Sequence, residues 1–126
     1  GEGAEIYGEV HNCVIGADVT IEKGAVVRDS IIMKHTRIGA GSQIDKSIIA
    51  ESVDIGENVV TGVGEEAPNV LKPAVYGFGL VTIAEKSVIP SGVKIGKNTA
   101  ISGETTVDYP DGELASGGAI VKKDGE

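Results

Sequence analysis

Asn12-Cys13-Val14-Ile15, Asp29-Ser30-Ile31-Ile32 and Lys46-Ser47-Ile48-Ile49 are three versions of one segment, set seventeen residues apart. Aliphatic leaders run through them as Ile15, Ile21 and Val27, then Ile32, Ile38 and Ile44, then Ile49, Ile55 and Thr61. The step between leaders is six residues, shortened to five wherever it ends in one of the quoted segments. Neither the 3.6-residue period of an amphipathic helix nor the alternation of a hairpin strand produces that beat. A repeat unit leaves an apolar face bare and is stable only when neighbours stack on it. Short strands with a turn at every sixth residue therefore predict an all-β coil with three flat sides. Successive turns should lie about 4.8 Å apart with like residues above like. The expected columns are Ile21, Ile38 and Ile55 on one side, Val27 and Ile44 on the next, and Ile15, Ile32 and Ile49 on the third.

The same register extends in both directions. Ala4 and Val10 precede Ile21 and Val27 by seventeen residues, so a partial turn is already running near Gly1. A stack that begins so abruptly, in a sequence without an initial methionine, exposes unpaired backbone groups at its open end. We therefore expect a missing N-terminal domain that caps this end. The single β-helix domain, 1–126, divides into a first coil block over 1–62, an excursion over 63–80, a second block over 81–108, and a C-terminal cap and tail over 109–126. In the first block the fifth hexad positions are small or β-branched: Val19, Ala25, Thr36, Ser42, Val53 and Val59. The excursion carries Glu65-Glu66, Pro68, Pro73 and Tyr76-Gly77-Phe78-Gly79. Its aromatic pair predicts an ordered loop packed on the stack or on another domain. Beyond it Ile83, Ile89, Ile95, Ile101 and Val107 keep a six-residue step without the slip. Tyr109-Pro110-Asp111-Gly112 is expected to end the repeat, with a last strand at Gly117-Gly118-Ala119-Ile120-Val121 and a frayed tail after it.

Composition restricts partners. A net charge of −8 disfavours nucleic acid and anionic membrane, and a phosphate ligand would need a local basic patch. No apolar run reaches the roughly 18 residues of a membrane span, and no signal peptide is visible. Cys13, the one cysteine, falls in a ladder with Ser30 and Ser47 and reads as a packing residue. An unpaired thiol fits a reducing, cytoplasmic setting.

The hexads Ile15-Gly16-Ala17-Asp18-Val19-Thr20, Ile38-Gly39-Ala40-Gly41-Ser42-Gln43 and Ile55-Gly56-Glu57-Asn58-Val59-Val60 resemble the hexapeptide repeat of left-handed parallel β-helices. The resemblance supplies the hand, because the general crossover rule favours the right-handed one. Three features narrow it further: Gly8-Glu9-Val10-His11-Asn12-Cys13-Val14-Ile15, the proline-bearing excursion, and Val88-Ile89-Pro90-Ser91-Gly92-Val93-Lys94-Ile95-Gly96. With Asp29-Ser30-Ile31-Ile32-Met33 they are similar to the C-terminal domain of bacterial glucose-1-phosphate adenylyltransferase, also called ADP-glucose pyrophosphorylase. That resemblance implies a non-catalytic regulatory and oligomerisation domain. The parent would make ADP-glucose and pyrophosphate from ATP and glucose 1-phosphate for glycogen synthesis. It also implies partners: the parent's own N-terminal catalytic domain, which would hold magnesium, further copies of the chain, and a phosphorylated-metabolite effector.

No cofactor and no catalytic residue is expected within this chain. Gly39-Ala40-Gly41 and Gly62-Val63-Gly64 lack the following helix that a phosphate loop needs, so they read as corner glycines. His11 and His35 are too few for a three-histidine zinc site, and no metal is expected. His35 as the general base of a hexapeptide acyltransferase is an alternative that requires an orienting partner for its second nitrogen. A purely structural assembly module or a non-catalytic regulatory paralogue is another. Lys34, His35 and Arg37 form a basic cluster, with Arg28 and Lys46 on nearby turns. By resemblance, Lys46 and Lys72 fall near effector-binding arginines of some family members. In this chain Asp45 adjoins Lys46, and Asn69-Val70-Leu71 precedes Lys72.

Overall fold

A computed structural model of the chain describes residues 3–65, 67–71, 74, 77–101 and 112–120. The first three turns hold β1 (Glu5–Ile6), β2 (Glu9–His11), β3 (Val14–Ile15), β4 (Thr20–Ile21), β5 (Val26–Arg28), β6 (Ile31–Ile32), β7 (Arg37–Ile38), β8 (Gln43–Asp45) and β9 (Ser47–Ile49). The fourth holds β10 (Asp54–Ile55), β11 (Val60–Val63) and β12 (Val81–Ile83), and the fifth β13 (Val88–Ile89), β14 (Lys94–Gly96) and β15 (Thr99–Ile101). A sixth shows β16 (Glu113–Leu114) and β17 (Ala119–Ile120). Each strand pairs in parallel with its equivalent one turn away, giving three sheets. The first side is β1-β4-β7-β10-β13, the second β2-β5-β8-β11-β14-β16 and the third β3-β6-β9-β12-β15-β17. The chain is a left-handed parallel β-helix of about six turns.

The columns follow the hexad leaders. Ile21, Ile38, Ile55 and Ile89 stack on the first side, and Ile15, Ile32, Ile49, Ile83, Ile101 and Ile120 on the third. Val10, Val27 and Ile44 stack on the second, where Thr61, Ile95 and Leu114 continue the side. Ile21, Ile38, Ile44, Ile49, Ile55, Ile83, Ile89 and Ile95 are all buried in one core. Complete burial of such a side chain stabilises by about 1.5–3 kcal/mol, and branched residues suit a pleated wall. These columns therefore dominate the stability of the fold.

Corner hydroxyls complete the hydrogen bonding where the sheets bend. Thr36 Oγ1 donates to the Ala50 carbonyl at 2.8 Å and accepts from the Val53 amide at 3.3 Å. Ser42 repeats the arrangement with Gly56 and Val59. The two hydroxyl-bearing fifth positions thus tie one turn to the next, while Val19, Ala25, Val53 and Val59 fill the core.

The five-residue step sits at the corner between the second and third sides. Asn12, Asp29 and Lys46 each turn the chain there with φ of 55°, 49° and 46°. Ser30 and Ser47 follow, their hydroxyls donating to the carbonyls of Arg28 and Asp45 at 2.7 and 3.0 Å. Cys13 Sγ lies 3.1 Å from the His11 carbonyl in the equivalent place. The cysteine thus stands where serine stands in the next two turns.

The excursion grows from that same corner. Val81 pairs with Ser47 below and Thr99 above, so residues 63–80 are inserted between the Lys46 and Asn98 corners. Past Gly112, Leu114 stands on Ile95 and Ile120 on Ile101. The segment read as a cap thus carries further rungs of the same columns within residues 112–120. Val107 and the 109–111 turn lie outside the described residues, as does the tail from 121.

Candidate functional site

Among the described residues, the basic side chains singled out above sit on corners and outer faces, and carboxylates stand beside Arg37 and His35. Arg37 Nη1 lies 3.0 Å from Asp54 Oδ1 on the turn above, and its Nε lies 3.6 Å from Glu22 Oε1. These pairs arise because like positions stack one turn apart: Arg37 is in register with Asp54. An exposed pair of this kind contributes about 0–1 kcal/mol to stability, but it reduces the charge that Arg37 offers to a phosphate. The proposed cluster of Lys34, His35 and Arg37 is therefore partly neutralised by its own helix.

His35 occupies the corner column between the third and first sides, with Asp18, Ser52 and Lys86. All four have φ between 55° and 62°. Its amide donates to the Ala17 carbonyl at 3.0 Å. Histidine is enriched several-fold in this left-handed region, so the turn itself accounts for the residue. Asp18 Oδ2 lies 3.6 Å from His35 Nδ1, beyond hydrogen-bond reach. An acyl-transfer base needs its imidazole fixed by a partner, and this contact does not fix it. His11 likewise faces Glu9 at 3.4 Å on the surface. Among the described residues no group of three histidine, cysteine, aspartate or glutamate side chains is gathered as a metal site.

A recess of about 240 Å³ opens at the first-to-second corner, lined by Tyr7, Gly8, Glu9, Gly24, Ala25 and Val26. Tyr7 donates its hydroxyl to Glu5 Oε2 at 3.3 Å, and the Glu5 charge, with Glu22 adding, raises the phenol above its ordinary value near 10. That acidic surround opposes a phosphorylated ligand, and His35 lies on a different corner.

Lys46 is exposed at the second-to-third corner. Its amide donates to the Arg28 carbonyl at 3.1 Å, and its own carbonyl accepts from Val81 at 3.0 Å, at the point where the excursion returns. Lys72 lies outside the described residues. The described ends of the excursion are held firmly. Asn98 Nδ2 donates to the Ala67 carbonyl at 3.1 Å, while Oδ1 accepts from the Gly79 amide at 2.8 Å. In return Asn69 Nδ2 donates to the Asn98 carbonyl at 2.9 Å, and the Leu71 amide donates to Asn69 Oδ1 at 2.9 Å. Both asparagines are buried. The sequence gives one clue to this clasp: Asn98 shares the corner column of Asn12 and Asp29. Asn69, inside an aperiodic loop, gives none.

The GMPPB C-terminal domain model matches residues 2–70, more than half of the chain. The chain belongs to this family. It is also 42% identical over 122 residues to a glucose-1-phosphate adenylyltransferase of Acetivibrio thermocellus, covering 96% of the chain and 29% of that protein. For the same-named proteins of Lachnospira eligens and Thermotoga maritima the identities are 63% and 44%, covering 97% and 98% of the chain and again 29% of each relative. The chain thus spans under a third of these relatives and corresponds to their C-terminal domain. Among solved structures, the acetyltransferase domain of PglB from Neisseria gonorrhoeae superposes with a TM-score of 0.66 at 16% identity, covering 97% of the chain and 52% of that structure. At that identity the likeness speaks for the fold alone. The solenoid is shared, and acyl transfer does not follow from it.

Proposed function

We propose that the chain is the non-catalytic regulatory and assembly domain of a glucose-1-phosphate adenylyltransferase. In this reading the whole enzyme converts ATP and glucose 1-phosphate to ADP-glucose and pyrophosphate in the cytoplasm, for glycogen synthesis. The carrying observation is the extent of the similarity: almost all of this chain matches less than a third of enzymes bearing that name. Catalytic groups and magnesium are assigned to the remaining length. The β-helix would hold the catalytic domain against its open first turn, where Ile6 remains 45% exposed, and would pair subunits. Lys46, with Lys72, would meet a phosphorylated effector at the corner that bears the excursion.

The direct test is pyrophosphate release from ATP, glucose 1-phosphate and magnesium, measured on this chain alone and on the longer protein. Turnover is expected only from the longer protein. Turnover by the chain alone would overturn the assignment, and so would a longer protein that is folded but makes no ADP-glucose. The acyltransferase alternative is the weaker reading, since the Asp18 contact to His35, at 3.6 Å, is too long to orient its imidazole.

A further inference from the structure

Phe78 sits in a backbone region that suits no large apolar residue. Among the described residues, the other non-glycine positions with positive φ are asparagine, aspartate, serine, histidine or lysine. Phe78 has φ 61° and a ring that is 87% exposed, so packing does not hold it there. For a bulky side chain this region is disfavoured on the order of tenfold against the ordinary ones. Strain of that kind is found where a segment has more than one state to occupy.

Gly77 to Leu80 close a turn, the Leu80 amide donating to the Gly77 carbonyl at 3.1 Å. Its central residues, Phe78 and Gly79, have φ of 61° and 77°. Positive φ at both marks type I′, whose first central position prefers asparagine, aspartate or glycine. The Phe-Gly pair instead meets the requirement of type II, with φ of about −60° and then about +80°. Gly79 already has the second value, and a bond from Leu80 to Gly77 closes either turn. Exchange between the two therefore needs new φ and ψ at Phe78, with the Gly77–Phe78 peptide rotating, which glycine at 77 permits. Gly79 itself is buried, and its amide donates to Asn98 Oδ1 at 2.8 Å. That half of the turn is common to both forms.

We infer that this turn is a swivel that carries the Phe78 ring between two directions while the Asn98 clasp stays closed. Type I′ is the form in this structure, and type II is a minor form of about 1–10%. Strain at Phe78 drives the ring towards the second direction, and the surrounding loop holds it in the first. A contact that covers the ring in one direction selects that form. The excursion thus presents a switchable apolar group beside Val81, on the rung that stacks on Ser47. The inference goes beyond the assembly and effector roles proposed above and uses neither.

NMR of this chain tests the swivel, with thermal melts to verify the fold of each variant. Type I′ brings the amides of Phe78 and Gly79 together, whereas type II brings the Phe78 Hα to the Gly79 amide, so nuclear Overhauser contacts tell the forms apart. Relaxation dispersion should show exchange at Phe78 in the wild type. Phe78→Asn suits type I′ and should lower the minor population at least about fivefold. Phe78→Pro fixes φ at about −65° and should give the type II contacts alone. In all three chains the Gly79 amide should keep its protection from hydrogen exchange within about threefold. A wild type without exchange at Phe78 overturns the swivel. Exchange that Phe78→Asn leaves unchanged overturns it as well, because strain is then not its cause. A Phe78→Pro chain that unfolds or loses Gly79 protection shows that type II does not fit the clasp, and also overturns it. None of these outcomes bears on whether the longer protein makes ADP-glucose, so the two proposals fail separately.

Discussion

The Asn98 side chain bridges both ends of the excursion, accepting from the Gly79 amide at 2.8 Å and donating to the Ala67 carbonyl at 3.1 Å. A loop that interrupts a repeat forfeits the ladder bonds of the rungs around it. Here one buried amide supplies replacements on both flanks while its own backbone makes the corner at φ 57°. Asn98→Gly keeps the left-handed turn and removes the clasp, whereas Asn98→Ala removes both. We expect Asn98→Gly to lower the unfolding free energy by about 2–3 kcal/mol and Asn98→Ala by about 1 kcal/mol more. Urea denaturation measures both. Equal stability of Asn98→Gly and the wild type would show that the clasp contributes nothing.

Glycines in this chain serve two distinct needs, and substitution separates them. A Cβ on Gly56 would come within 2.6 Å of the Ser91 amide nitrogen and hydroxyl oxygen on the next stacked corner, whereas one on Gly92 would meet nothing within 4 Å. Gly92 instead has φ +79°. Gly56→Ala must push two turns apart, so it should cost more than about 2 kcal/mol; Gly92→Ala carries only the conformational penalty of about 1–2 kcal/mol. Denaturation midpoints that rank the two the other way would refute this division.

How far the sequence could be read follows from the same geometry. Ile21, Ile38 and Ile55 share a column because burial forces branched residues into register, and that periodicity is visible without coordinates. The slip at Asn12, Asp29 and Lys46 was legible too, as a shortened step, but its cause was not. It lies in a one-residue left-handed turn closed by the hydroxyl or thiol that follows. Thr61 holds a leader position like the others, yet its Oγ1 accepts from the Asp45 amide at 2.9 Å and meets the Ser47 hydroxyl at 2.9 Å inside the wall. A polar leader marks the turn from which the excursion departs. The candidate site was less legible, because the pairing of Arg37 with Asp54 and Glu22 depends on residues far apart in sequence becoming neighbours across turns. Lys72 lies outside the described residues.

The Tyr7 phenol gives a local report on the acidic first turn. Its folded pKa lies above 10, first because of the Glu5 charge and then because of the hydrogen bond to it. The neutral phenol is the favoured form, so this interaction is fully present below the unfolded value near 10 and is lost as pH rises through the higher folded value. Glu5→Gln should bring the Tyr7 titration down towards 10, measured from the ring carbon shift by NMR with Tyr7→Phe to assign the signal. A titration that does not move in Glu5→Gln would mean that Glu5 is not the cause.

Lys46 separates a structural from a regulatory role for the second-to-third corner. Its φ of 46° suits asparagine better than lysine, and Asn12 already fills the same column two turns below. Lys46→Asn therefore removes the charge and keeps the turn, so the melting temperature should hold or rise slightly. In the longer protein of the proposed reading, the rate of ADP-glucose formation without effector should be unchanged. On the proposed effector role, with inorganic phosphate as the probe, the concentration giving half of the change in that rate should rise about three- to tenfold, because Lys46 would supply one cation to the anion. An unchanged phosphate response in Lys46→Asn would remove Lys46 from the effector contact and leave it a corner residue.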